Sequence, residues 1–276
     1  MQRIGVLYNP LSAVSREHSQ ALEAWLHKRE IAVWRGVSQE CRDHPELLEN
    51  MDLLVAMGGD GTVLRAARAA YPTKIPVLPV ALGHLSFMSE IGPDELYSGI
   101  ELLINGGGWL DERSMASAVL RRNGITLERF TALNEVVVSR SDISRVVNAE
   151  VQIDGWPLTT YHADGVLIAT ATGSTAYALA AGGPVVDPRS KALLIVGIAA
   201  HLTNIPSMVL HEDAVVTIRL RSRHHALLAV DGRENLPLEA DDEIEVRRSE
   251  RVCVFAHVRP ASHFYTNLAF RLRREY

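Results

Sequence analysis

The chain has 276 residues, a mass of 30.4 kDa and a mean hydropathy of +0.04, which exclude a disordered chain and a helical membrane bundle. Its net charge of −5 argues against a general nucleic-acid binder, because such proteins carry a basic surplus. Only 3 of the 28 basic residues are lysines, so a phosphate-clamping lysine has few candidates. The two cysteines are too few for a disulfide scaffold and predict a reducing, cytoplasmic setting.

Strand and helix patterns alternate over the first hundred residues. Short apolar runs predict buried strands at 4–8, 31–34, 53–57 and 75–80, and helical spacing predicts helices over 15–30 and 63–70. This alternation predicts an α/β domain with a Rossmann-like, doubly wound sheet. We expect the domain to span residues 1–104 and to be rejoined by a segment of about 255–276, whose part from Phe264 is an amphipathic basic helix.

The pattern changes after residue 104. Short strands separated by polar turns are predicted at 116–121, 129–139, 149–153, 165–170, 214–220, 226–230 and 243–247. Residues 105–254 should therefore form an all-β, sandwich-like domain, with one helix starting near Ser174 and Thr175. The uncharged stretch 165–186 is long enough to cross a membrane, but its glycines, Pro184 and hydroxyl residues favour a buried strand and a turn.

The segment GGDGT at 58–62 lies where a predicted strand ends and a helix begins. Adjacent glycines let the backbone approach a ligand, and the N-terminus of the helix offers free N–H groups to a phosphate. It matches neither the dinucleotide fingerprint nor the P-loop, and it adds the carboxylate of Asp60. That carboxylate could take a hydroxyl proton or hold Mg²⁺, or it could simply cap the helix.

Two further segments combine small or polar side chains with apolar strands. The sequence TGSTAY at 172–177 predicts a turn that could hold a nucleoside, or a helix capped by Ser174 or Thr175. Asn134 and Glu135 interrupt an apolar strand, where burial costs free energy unless a ligand or the backbone satisfies them. The eleven histidines form no metal-binding signature.

Taken in order, these motifs resemble the NAD kinase family. The resemblance rests on YNP at 8–10, GGDGT at 58–62, LNE at 133–135, DG at 164–165, TGSTAY at 172–177, AGGP at 181–184 and DG at 231–232. GGDGT is shared with lipid-kinase and phosphofructokinase relatives, whereas TGSTAY followed by AGGP is far more specific. The family implies transfer of the γ-phosphoryl group of ATP, or of polyphosphate, to the adenosine-ribose 2′-hydroxyl of NAD.

The resemblance also implies a role for individual residues. Asp60 would be catalytic. Phosphate of ATP would be held by Gly58, Gly59, Gly61, Thr62 and Arg65. NAD would be bound by Asn134, Glu135, Asp164, Thr172, Ser174, Thr175, Ala176 and Tyr177. Mg²⁺ or another divalent cation would be held through the nucleotide phosphates, with Asp60 as the one candidate protein ligand.

The family implies a homodimer or homotetramer, with neither nucleic acid nor membrane as a partner. The chain departs from the family pattern: Ala81 replaces the usual Asn, Ser86 a Gly, Ala171 a Pro and Arg233 a Gln, and the stretch 197–201 lacks the usual Pro and Cys. Because of these departures, two alternatives stay open. One is a GGDGT kinase that phosphorylates another hydroxyl acceptor, as lipid kinases do, and the other is a catalytically weak paralogue that binds NAD(H).

Overall fold

The computed structural model describes residues 1–83, 87–142, 145–201, 205–222 and 225–272. The chain divides into two compact units. Unit 1 comprises residues 1–112 together with the C-terminal segment from residue 253, and unit 2 comprises residues 113–252. The chain passes from one unit to the other within two long strands, Trp109–Arg122 and Glu243–His257.

Unit 1 is built on a parallel sheet. Its elements before the first crossing are β1 (Arg3–Tyr8), α1 (Ala13–His27), β2 (Ala32–Gly36), α2 (Ser38–Asp43), β3 (Leu53–Met57), α3 (Asp60–Ala70), β4 (Val77–Val80) and α4 (Leu96–Ile104). The four strands lie in the order β2-β1-β3-β4 and all neighbours are parallel. Because β3 is buried along its whole length, as expected for a strand covered on both faces, the predicted doubly wound sheet is confirmed.

Two helices of unit 1 begin earlier than the spacing predicted. Helix α1 begins at Ala13 because the hydroxyl of Ser12 accepts a hydrogen bond from the N–H of Ser15. Helix α3 begins at Asp60 rather than at residue 63, so the end of the GGDGT segment forms its first turn. Helix α4 was not predicted, although its buried face packs into the same core.

Unit 2 consists mainly of antiparallel strands. Its elements and those of the returning chain are β5 (Trp109–Arg122), β6 (Ile125–Ala132), β7 (Glu135–Arg140), β8 (Val147–Ile153), β9 (Trp156–Ala163), β10 (Gly165–Thr170), α5 (Tyr177–Ala180), β11 (Leu193–Ile198), β12 (Met208–Leu210), β13 (Val215–Leu220), β14 (Ala226–Val230), β15 (Arg233–Leu238), β16 (Glu243–His257) and α6 (His263–Leu272). The last four residues of the predicted C-terminal helix lie outside the described part of the chain, as does Ser86.

Two layers of strands enclose the core of unit 2. One layer has the order β12-β11-β10-β7-β14-β15, and the other contains β9, β8, β13 and β16 with the β5–β6 hairpin. Buried side chains from both layers, such as Val138 and Ile168 from one and Val151 and Ile218 from the other, form a single apolar cluster. The predicted sandwich-like architecture is therefore confirmed.

Two local predictions in unit 2 were wrong. The strand predicted over 129–139 is two strands, β6 and β7, separated at Leu133 and Asn134. The helix predicted from Ser174 is a 3₁₀ turn, Thr172–Thr175, followed by the four-residue helix α5. Strands β9, β11, β12 and β15 were not predicted; β9 completes a hairpin with β8 through the turn at Asp154 and Gly155.

The uncharged stretch 165–186 forms strand β10, the 3₁₀ turn and α5. No helix in the described residues is both long and apolar enough to cross a bilayer.

Two glycines before β5 provide a matched test of backbone packing. Gly106 and Gly108 both have positive φ, 78° and 76°. A Cβ at Gly106 would meet nothing within 4 Å, whereas one at Gly108 would collide with the carbonyl oxygen of His257. We expect Gly106→Ala to lower the free energy of unfolding by about 1 kcal/mol and Gly108→Ala by about 3 kcal/mol, measured by denaturant unfolding. Equal losses would contradict the close approach.

Candidate active site

The GGDGT segment forms a tight connection between β3 and α3. Gly58 is buried with φ 154°, and a Cβ there would lie 2.5 Å from Oγ1 of Thr62. A side chain at this position is therefore excluded by the first turn of the helix. Gly59 and Gly61 are exposed. Their peptide groups are accessible to an anion at the helix N-terminus, where backbone N–H groups lack intrahelical partners.

Asp60 is the first residue of α3, and its carboxylate is incompletely satisfied. Oδ1 is buried and has no hydrogen-bond partner in the described part of the chain. Arg65, one turn further along, donates instead to Oγ1 of Thr62 over 3.2 Å. The loop thus places an unpaired carboxylate oxygen of Asp60 near the exposed backbone of Gly59 and Gly61. The guanidinium of Arg65 lies about one helical turn away.

The order of the strands places this loop at a favourable position in the sheet. Strand order changes direction between β1 and β3, so the connections after these neighbouring strands lead away from each other and leave a crevice at their carboxyl ends. The hydroxyl of Ser15 links the two ends, because it donates to the carbonyl of Met57 over 2.8 Å and accepts from the N–H of Asn9 over 3.0 Å. The YNP and GGDGT segments therefore border the same crevice.

In unit 2, the carboxylate of Asp231 organises the LNE segment. One oxygen accepts from the N–H of Leu133 (2.9 Å), and the other accepts from Asn134 (2.8 Å) and Glu135 (3.2 Å). Asp231 and Gly232 form the turn between β14 and β15 with φ of 50° and 68°. These three bonds replace strand pairing, which explains the break between β6 and β7.

Asn134 and Glu135 are each 6 % exposed, and both carry an unsatisfied atom. Oδ1 of Asn134 and Oε2 of Glu135 have no hydrogen-bond partner among the described residues, and neither does Oγ1 of Thr172. Gly173 lies directly against Asn134, since a Cβ at Gly173 would collide with the carbonyl group of Asn134. Three buried polar atoms without partners around one turn indicate a ligand that supplies their hydrogen bonds.

Burial raises the pKa of Glu135 to about 7, and the negative charge of Asp231 acts in the same direction. The backbone N–H of Tyr177 hydrogen-bonds the carboxylate and opposes both effects. Glu135 therefore changes charge near neutral pH, and a ligand that donates hydrogen bonds to it favours the ionised form.

The other residues predicted to bind NAD occupy different environments. Ser174 is fully buried and its hydroxyl is used by the protein: it donates to the carbonyl of Ala171 and accepts from the N–H of Val186. Thr175 and Ala176 are half-buried, and Tyr177 is 44 % exposed. Asp164 lies at the opposite end of β10, roughly 17–20 Å along the strand from Thr172, and pairs with Arg140 over 2.9 Å.

Two residues that shape the site were not predicted as site residues. Asp231 enters the sequence analysis only within the DG motif at 231–232. An aspartate-glycine pair predicts a turn, and this is the sequence signal that could have identified Asp231 as a site residue. Thr170 donates to the carbonyl of Leu133 over 2.5 Å and accepts from the N–H of Gly173 over 3.1 Å, which joins the LNE segment to the TGSTAY turn. A threonine that ends a buried strand carries no comparable signal.

The glycine loop at the crevice of unit 1 and the buried polar cluster of unit 2 are the features expected of a two-domain nucleotide-binding protein. Two family models match the chain: the ATP-NAD kinase N-terminal domain over residues 14–108 and the ATP-NAD kinase C-terminal domain over residues 133–258. The chain belongs to the NAD kinase family and is an enzyme that phosphorylates NAD.

Relatives and solved structures agree with this assignment. The chain is 68 % identical over 274 residues to the NAD kinase of Chloroflexus aurantiacus, covering 99 % of each chain, and 36 % identical to that of Dehalococcoides mccartyi, covering 99 % of this chain and 96 % of the relative. Its fold matches yeast NADH kinase complexed with NADH, with a TM-score of 0.89 and 24 % identity, and the match covers 100 % of this chain and 89 % of the yeast chain. It also matches an Archaeoglobus fulgidus NAD kinase in complex with ATP (TM-score 0.79, 24 % identity, 98 % of both covered).

The two aspartate-glycine turns of unit 2 allow a matched test of the Asp231 interactions. Asp231 uses both carboxylate oxygens, whereas in the described part of the chain Asp154 accepts from the N–H of Val215 through one oxygen. Asparagine supplies a single acceptor oxygen, so Asp231→Asn must leave at least one N–H without its partner. We expect it to lower the free energy of unfolding by about 2 kcal/mol and Asp154→Asn by less than about 1 kcal/mol, measured in urea. Equal effects would contradict this role of Asp231.

Proposed function

We propose that this NAD kinase transfers the γ-phosphoryl group of ATP to the adenosine-ribose 2′-hydroxyl of NAD, with Asp60 as the general base. The observation that carries the proposal is the buried, unpartnered Oδ1 of Asp60 at the start of α3. A carboxylate oxygen without a hydrogen-bond partner, beside an anion-binding loop, is suited to accept a hydroxyl proton next to a phosphate.

The donor would bind at the GGDGT loop of unit 1. The exposed backbone of Gly59 and Gly61 and the guanidinium of Arg65 would donate to phosphate oxygens, with Gly58 allowing the close turn. The N–H of Thr62 is already used by the carbonyl of Gly59 (2.8 Å), so Thr62 would act through its hydroxyl, which holds Arg65. The Archaeoglobus fulgidus relative was solved with ATP, which supports ATP over polyphosphate. Mg²⁺, held through the nucleotide phosphates, would neutralise their charge, and Asp60 would then keep Oδ1 for the hydroxyl proton.

The transfer itself needs positioning more than covalent chemistry. The 2′-hydroxyl oxygen attacks the γ-phosphorus and its proton passes to the carboxylate of Asp60. The bond between the γ-phosphorus and the bridging oxygen of ADP breaks, and ADP leaves with that electron pair. The chain provides the anion site and the base, and none of these roles requires a lysine.

The acceptor NAD would bind in unit 2. Asn134, Glu135 and Thr172 carry the unsatisfied atoms that ribose hydroxyls and base edges can pair, and Tyr177 offers an exposed ring beside them. Thr175 and Ala176 would line the same turn. Ser174 would stabilise the conformation of the turn through its hydrogen bonds to Ala171 and Val186. Asp164 would contact a more distant part of the dinucleotide. The NADH complex of the yeast relative supports a dinucleotide ligand.

The family resemblance supports a homodimer or homotetramer in the cytoplasm. Identity of 68 % to NAD kinases over nearly the whole chain favours NAD over a lipid acceptor. An assay with purified protein, ATP, Mg²⁺ and NAD, with NADP read by a coupled dehydrogenase, tests the function. NADP formation supports it, and NAD binding without turnover would instead indicate a binding paralogue.

Asp60→Asn tests the catalytic carboxylate. The amide keeps the size of the side chain but cannot accept the hydroxyl proton, so we expect kcat to fall by roughly 10²–10⁴-fold. NAD affinity, measured by titration calorimetry, should stay within about twofold of the wild type, because the amide of asparagine keeps an oxygen that can accept the hydrogen bond of the 2′-hydroxyl. Turnover near the wild-type rate in a folded Asp60→Asn enzyme would remove this residue from the catalytic role.

Glu135 predicts a link between pH and NAD binding. Its pKa in the folded, ligand-free protein is raised to about 7, so its contribution to stability is present below the unfolded value of about 4.5 and is lost as pH rises through 7. Hydroxyl donors of NAD favour the carboxylate, so binding at pH 6.5 should release a proton and affinity should increase between pH 5.5 and 7.5. Calorimetry in two buffers of different ionisation enthalpy measures that proton.

The matched variants are Glu135→Gln, which should abolish the proton release, and Glu128→Gln, which removes an exposed carboxylate on β6 and should leave it unchanged. Proton release that persists in Glu135→Gln would show that another group titrates.

A further inference from the structure

A second group of buried charges lies in unit 1, and the proposed reaction does not use it. Glu90 is 6 % exposed and its carboxylate contacts three donors of the C-terminal segment: Nδ1 of His257 (2.6 Å) and the N–H groups of Val258 and Arg259 (both 2.9 Å). Burial acts to raise the pKa of Glu90, but the hydrogen bond and charge of His257 and the two N–H groups outweigh it and lower the pKa below its usual range.

His257 is held on its other sides as well. Its Nε2 lies 3.5 Å from a carboxylate oxygen of Asp111, and the ring of Trp109 stacks on the imidazole at 4.6 Å between centroids. The indole N–H of Trp109 donates to the carbonyl of Arg259, whose guanidinium pairs with Glu95 at 2.6 Å. The imidazole thus lies between two buried carboxylates, and the C-terminal segment has little freedom to move relative to Glu90.

Backbone hydrogen bonds connect Glu90 to the phosphate loop. The N–H of Glu90 donates to the carbonyl of Pro79 in β4 over 3.0 Å, and Ile91 forms a parallel bridge with Val80. The carbonyl of Val80 accepts from the N–H of Gly58, the first residue of the GGDGT loop, over 2.9 Å. Two residues of β4 therefore separate the buried carboxylate from the loop.

Burying the carboxylate of Glu90 costs free energy of folding, so stability alone does not account for a carboxylate at this position. Burying charged groups carries a desolvation penalty that their attraction often fails to repay, and apolar residues of similar size commonly stabilise as well or better. Directional hydrogen bonds to three fixed donors do what apolar packing cannot: they define where the end of β4 lies to within a fraction of an ångström.

We propose that Glu90 is a positioning residue for phosphoryl transfer, because it ties the end of β4, and through it Gly58, to the C-terminal segment at His257. The inference rests on the proposed function in one respect, that the GGDGT loop receives the phosphates of ATP. Glu90 touches neither substrate in this role. Its loss should therefore disturb the donor site and leave NAD binding in unit 2 unchanged.

Steady-state kinetics of Glu90→Ala test the proposal. Alanine removes every acceptor, whereas glutamine would keep one oxygen for both backbone N–H groups and an amide that can donate to His257. A displacement of the loop by about 1 Å is expected to lower kcat/KM for ATP by about 10- to 100-fold, with the KM for NAD within about twofold of the wild type.

The control is Asp52→Ala. One carboxylate oxygen of Asp52 accepts hydrogen bonds from the backbone N–H groups of Gln2 and Arg3, at the ends of β1 and β3 far from the GGDGT loop. This variant should therefore lose stability without a change in either KM or kcat.

Both variants are assayed well below their melting temperatures. A Glu90→Ala enzyme that melts earlier but keeps the wild-type kcat and KM for ATP would overturn the proposal, as would equal changes in the KM for ATP and NAD. If Glu90→Ala does not fold, His257→Gln, which leaves the backbone donors to Glu90 in place, carries the same expected direction and the same contrary outcome. Failure of the proposed function is distinguishable, because the wild-type protein would then form no NADP from ATP and NAD.

Discussion

The carboxylate of Asp231 is the interaction on which the buried polar cluster of unit 2 depends. It accepts hydrogen bonds from three successive backbone N–H groups, Leu133 to Glu135, which would otherwise seek partners in a β ladder. With those groups satisfied, the strand can end and resume without a buried unpaired backbone. The side chains of Asn134 and Glu135 are thereby placed at a gap between strands, beside the TGSTAY turn, instead of on a strand face.

Unpaired buried polar atoms occur in the candidate region of each unit. Oδ1 of Asp60 in unit 1, and Oδ1 of Asn134, Oε2 of Glu135 and Oγ1 of Thr172 in unit 2, are buried without partners in the described residues. Each such group destabilises the ligand-free fold by about 1–3 kcal/mol, so a chain retains them where a ligand completes the hydrogen bonds. Recognition of an anion by backbone N–H groups, as proposed for the GGDGT loop, needs neither a basic surplus nor lysines, and the chain has a net charge of −5 and three lysines.

Sequence reasoning succeeded where the signal is local. Apolar runs followed by glycine located the strands of unit 1 and the GGDGT loop, and this motif with TGSTAY gave the family. It failed where a distant residue decides: the break at Leu133 and Asn134 is caused by Asp231, nearly a hundred positions away, and no periodicity near the break reports it. The TGSTAY turn is not a helix because Thr170 and Ser174 bond locally with their hydroxyls, a competition that propensity alone does not resolve.

Arg65 and Asp60 both lie in the first turns of α3, yet Oδ1 of Asp60 has no partner among the described residues. Arg65 bonds to Thr62 instead, and the Thr62 side chain lies against Gly58, where a Cβ would collide with it. A guanidinium bonded to Asp60 would occupy the oxygen to which the proposed reaction assigns the hydroxyl proton. In that reaction, the bond to Thr62 keeps the arginine near the phosphates and leaves Oδ1 of Asp60 unpaired, so one short loop would hold apart the group that attracts the donor and the group that accepts the proton.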